Sequence, residues 1–150
     1  MGTHETVTFR TDMTAHEVAA NWPADDLTWM RNARHHDGAF SCLLTSHVGR
    51  EPEALAAALL DGFPSVERVA WTQLQNTEDA CLAVVYERPP PHEADAVDAW
   101  RVLRVASGPF YWDLARDAVR EQTGIPVQTW YEITDGDSDI RTMPREETPY

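Results

Sequence analysis

The chain has 150 residues, 43% of them hydrophobic and 25% charged, the size and composition of one globular domain that can bury a core without disulfide staples. Twenty-five acids against 12 arginines and no lysine leave a formal net charge of −13. That balance disfavours direct nucleic-acid binding, which needs a basic surface to displace counterions. The missing lysine excludes a Gly-x-x-x-x-Gly-Lys phosphate loop, Schiff-base and pyridoxal enzymes, and protein kinases.

In chain order, residues 6–10 alternate and read as a short strand. Thr14-Ala-His-Glu17 is a capping box that starts a helix reaching about Asn21, before Pro23. Asp25 or Asp26 caps a second predicted helix with Leu27, Met30 and Ala33 on one face, broken at His35-His36-Asp37-Gly38. Residues 39–48 read as a strand, 51–62 as a helix, and 66–74 and 80–87 as two strands of a hairpin. After Pro89-Pro90-Pro91 a helix is predicted from about 93 to 106, interrupted at Gly108-Pro109 and resumed to about Gln122, with Gly124 closing it. Residues 127–134 alternate as a last strand.

From residue 39 the order is β-α-β-β-α-β, so the expected fold is α+β, a ferredoxin-like split β-α-β sandwich with an extra N-terminal strand and two helices. The two most apolar strands, 39–48 and 80–87, are then the central pair. Residues 1–134 form one domain, and 135–150 are an acidic, flexible C-terminal tail. Cys42 and Cys81 sit in apolar runs and read as buried thiols; a disulfide would require their strands to be neighbours. No run of 18 apolar residues and no basic-then-apolar start occurs, which points away from a membrane and to a cytoplasmic location.

Motifs that carry chemistry are few. His16-Glu17 and His92-Glu93 each begin a His-Glu-x-x-His zinc pattern, but alanine stands in the second histidine's place. His35-His36-Asp37 is a potential ligand trio whose side chains diverge on a helix. Asp135-Gly-Asp137-Ser-Asp139 echoes a calcium loop, yet Ile140 replaces its glycine and Pro144 falls inside it. No nucleophile elbow and no Gly-x-Gly-x-x-Gly is present, so no metal and no cofactor is expected. The segment from Val7 to Thr14, with Asp26-Leu27-Thr28-Trp29 and Ala33-Arg34, is similar to the opening of flavin-dependent thymidylate synthases. The Arg-His-Arg signature of that family is absent, so no residue role follows from the likeness.

Charge is the strongest functional signal. Residues 51–100 hold ten acids and two arginines, Arg68 and Arg88. The expected function is a non-catalytic acidic binding protein of the inhibitor, immunity, antirepressor or nucleic-acid-mimic type, docking on a basic protein surface. Its binding residues are Glu51, Glu53, Asp61, Glu93, Asp95 and Asp98, with Trp130 as an aromatic anchor. Trp71 and Trp130, both on expected edge strands, mark an open aromatic sheet face. One alternative is a small-molecule enzyme or ligand-binding homodimer of the dimeric α+β barrel type, with His47, Tyr86 and Tyr131 as acid/base or orienting groups. The other is a structural component of a larger, phage-like assembly.

Overall fold

Residues 3–22, 28–46, 52–75, 80–88, 101–106, 112–128, 132–133 and 139–140 are described by a computed structural model. They form β1 (Thr3–Arg10), α1 (Ala15–Ala20), β2 (Thr28–His36), β3 (Ala39–Ser46), α2 (Pro52–Gly62), β4 (Arg68–Gln75), β5 (Ala80–Glu87), β6 (Arg101–Ala106) and α3 (Trp112–Thr123). The strands make one sheet in the order β2-β3-β1-β4-β5-β6, with every neighbouring pair antiparallel. The chain is thus mixed α+β.

The sheet is built around β1, and its alternation explains why. Val7 and Phe9 point to one face, Thr6 and Thr8 to the other, and all four are buried. On the first face Phe9 stacks 5.3 Å from Phe40 and 5.9 Å from Phe63. Leu55, Leu59 and Leu60 of α2 and Val18 of α1 complete that core. Burying each such side chain contributes about 1.5–3 kcal/mol. On the second face the hydroxyls satisfy one another: Thr6 bonds Thr72, and Thr8 Oγ1 lies 2.9 Å from Ser41 Oγ. Val119 of α3, with Ile125 and Val127, packs there on Ala70, Ala83 and Val85. Helices therefore cover both faces of the sheet, whereas a ferredoxin-like sandwich keeps them on one.

This arrangement corrects the expected topology. Strands β3 and β5 are not the paired centre of a split β-α-β unit, because β1 and β4 lie between them. The strand expected as an N-terminal addition is the middle of the sheet. Its threonines disguised it, since alternation with polar residues marks an edge unless those residues find partners. Three local expectations also change. Residues 28–34, expected as helix, and His35-His36, expected as its break, form β2. Residues 101–106, expected as helix, form β6. Of the expected last strand, 127–134, Val127 and Gln128 have no regular structure and Glu132 and Ile133 are helical.

The β2–β3 hairpin turns at Asp37-Gly38, with φ of 56° and 74°, between the pair His36 and Ala39. Asp-Gly with positive φ at both positions is the favoured two-residue hairpin connection. The capping box of α1 forms as expected, with Glu17 N–H donating to Thr14 Oγ1 and Thr14 N–H to Glu17 Oε1. Gly124 ends α3 at φ 74°, its N–H on the Arg120 carbonyl. Cys42 and Cys81 lie on strands three spacings apart, about 14 Å, which no disulfide spans. Cys42 is a free, buried thiol.

Beyond β2, at the sheet edge, Ala33 donates to the Ile140 carbonyl at 2.7 Å and accepts from Ile140 N–H at 2.9 Å. Asp139 and Ile140 belong to the segment expected as a tail. These two residues are docked on the sheet at a bulge, where Asn32 has φ 46°.

Candidate functional site

Of the acids expected to bind a partner, Glu53 and Asp61 stand exposed on α2, two helical turns apart on the side away from the sheet. Their neighbours Ala54 and Gly62 are exposed too, and α2 carries no basic residue. Glu51, Glu93, Asp95, Asp98 and Trp130 lie outside the described residues, as do His47 and Tyr131. Tyr86 is 4% exposed and packs in the core beneath α2, with Val84 and Trp71. Trp71 is on an interior strand, buried, and donates its indole N–H to Glu5 Oε1 at 3.2 Å. The open aromatic face expected around Trp71 is therefore occupied by the helices of the first layer. Exposed acids also appear on the second layer, at Asp117 and Glu121 of α3, so the acidity is not confined to one side.

The arginines behave differently from the acids. Arg88 Nη2 donates to the Leu60 and Val66 carbonyls at 2.5 and 2.9 Å, tying the last turn of α2 to the end of β5. Arg120 Nε donates to the Val127 carbonyl at 2.8 Å and its Nη2 lies 3.6 Å from Glu132. Arg116 pairs with Asp117 and Glu132. Arg10 Nη2 donates to the Gly124 carbonyl at 2.6 Å. Arg88, Arg120 and Arg10 thus bind carbonyls at helix ends and loops. Glu53, Asp61 and Glu67 remain exposed, with no ion pair to a described arginine.

A second feature escaped sequence reasoning. Arg10, Ser65, Glu67, Arg68 and Ile125 line a cleft of about 130 Å³ at the end of β1 and β4. Its residues are scattered along the chain, and only the strand register could reveal their convergence.

The histidine trio does not assemble. His35 and His36 point to opposite faces of β2, opposite Phe40 and Ala39 respectively. His35 Nε2 lies 2.7 Å from the Thr11 carbonyl, and His36 Nδ1 lies 3.0 Å from Asp37. Asp139, the fifth position of the calcium-like loop, accepts the His35 backbone N–H at 2.8 Å. Burial pushes the Cys42 thiol well above the usual range for cysteine, which disfavours the thiolate form. Among the described residues no helix is long and apolar enough to cross a membrane.

Comparison of the chain with protein-family models, with curated proteins and with solved structures finds no match.

Proposed function

We propose that this chain is a non-catalytic acidic binding protein, of the inhibitor, immunity, antirepressor or nucleic-acid-mimic kind, that engages a basic macromolecular surface through the outer side of α2. The observation that carries this reading is the division of labour between charges. Arg88 and Arg120 turn onto main-chain carbonyls, while Glu53 and Asp61 project outward from a helix that has no cation of its own. Asp61 adds a second argument. It sits in the last turn of α2, against the negative end of the helix dipole, where a carboxylate works against the helix. A cytoplasmic location belongs to the same proposal and accords with the free thiol of Cys42.

The test is a pull-down with the tagged chain at low and high salt, run beside the double variant E53Q/D61N. The expected result is a basic protein recovered at low salt, released at high salt and lost from the variant. Recovery that ignores both salt and the substitutions contradicts the proposal.

A further inference from the structure

We propose that the cleft between Arg10 and Arg68 binds a small oxyanion, the phosphate or carboxylate group of a low-molecular-weight ligand. The strand register makes the case first. β1 and β4 pair Thr8 with Ala70. That is the last pair of the ladder; two residues beyond it on each strand stand Arg10 and Arg68, and both line the cleft. Like charges brought together at the ends of neighbouring strands destabilise a sheet. In a chain with 12 arginines and 25 acids, such a pairing is not a by-product of abundance.

The state of the two guanidinium groups makes the case a second time. Arg10 is oriented by the Gly124 carbonyl at 2.6 Å, which uses one N–H of its five and leaves the others to a ligand. Arg68 is half-buried, and no hydrogen bond or ion pair joins its side chain to a described residue. A guanidinium partly withdrawn from water without a partner is costly, and an oxyanion between the two forks removes that cost and their mutual repulsion together. Arg34 lies on the same sheet face, opposite Ser41, and its buried Nε is also unpartnered.

The walls narrow the ligand class. Ser65 offers a hydroxyl, and Ile125 an apolar surface for a short carbon stem. Glu67 in the cleft and Glu87, opposite Arg68 on β5, bring the local charge close to neutral, which suits one oxyanion and not a polyanion. At about 130 Å³ the cleft is well below the roughly 300–1,000 Å³ of pockets that enclose larger ligands.

The experiment is an NMR titration of the full chain with inorganic phosphate and, separately, with acetate, at ionic strength matched with chloride. Saturable shifts of the Ser65, Arg68 and Ile125 amides are expected with at least one probe. Saturation by phosphate alone, acetate alone or both supports the site and identifies the group; no response beyond that of chloride overturns it. Arg68→Gln is expected to weaken binding at least about tenfold, the worth of one charge-assisted hydrogen bond. Unchanged affinity in that variant also overturns the proposal. Should R68Q fail to fold, Glu67→Gln decides. Loss of this exposed carboxylate tightens binding if the anion sits in the cleft, and the same affinity as the unsubstituted chain refutes it. Neither variant touches α2, so failure here leaves the acidic-surface reading to its own test.

Discussion

Single residues show where local chemistry speaks plainly. Thr14 and Glu17 announce a helix start, and the structure places both hydrogen bonds of the capping box. Thr14→Ala is expected to cost about 1 kcal/mol of stability, read as a shift in the urea midpoint. Gly38 at φ 74° in the hairpin turn is a comparable case. A Cβ there meets nothing closer than the Arg10 guanidinium at 3.6 Å, so the penalty of Gly38→Ala is conformational and not steric, about 1 kcal/mol by the same measurement. Cys42 gives a pH-dependent expectation. Its thiol titrates above the usual range in the folded protein because it is buried. Below the unfolded value, about 8.5, both states hold the proton and the group contributes no pH dependence. Above it the unfolded chain releases the proton while the folded one keeps it. Stability then falls by up to about 1.4 kcal/mol per pH unit. Denaturation curves across the alkaline range should show a shallower decline for Cys42→Ala than for the unsubstituted chain.

At the scale of elements, the sequence is legible where a pattern has one interpretation and opaque where two compete. The helices at 15–20, 52–62 and 112–123 and the strands at 39–46, 68–75 and 80–87 were all legible from caps, stripes and apolar runs. Residues 28–36 were not. Leu27, Met30 and Ala33 fit a helical stripe, but the deciding signal was Asp37-Gly38, a hairpin turn that reads equally as a helix stop. The centrality of β1 was hidden because Thr6, Thr8, Ser41 and Thr72 pair their hydroxyls only once the strands are neighbours. No property of the isolated segment reveals that. The same limit applied to the Arg10–Arg68 cleft, whereas Glu53 and Asp61 were legible because exposed helix positions follow directly from the buried stripe of Leu55 and Leu59. One test belongs to α2 itself. Asp61→Asn relieves the carboxylate at the negative helix end and should raise the melting temperature by about 1–3 °C while weakening any partner contact.

For the whole molecule, charge is the governing term. A net of −13 on 150 residues sets up self-repulsion across both helical layers, since Glu53 and Asp61 stand on one and Asp117 and Glu121 on the other. Added sodium chloride screens that repulsion, so melting temperature should climb with ionic strength in the range where the proposed partner is released. A melting temperature that falls with salt would mean that ion pairs such as Arg116–Glu132 outweigh the repulsion.

The contact of Ile140 with Ala33 carries a consequence of another kind. Strand β2 borders the sheet, and Ala33 has both backbone groups engaged by Ile140. A chain shortened ahead of residue 139 would expose that N–H and C=O to water, a ready template for the strand of a second molecule. Sedimentation at rising concentration should then reveal edge-to-edge oligomers that the longer chain does not form. On that outcome, two residues laid along a border act as a guard against polymerisation.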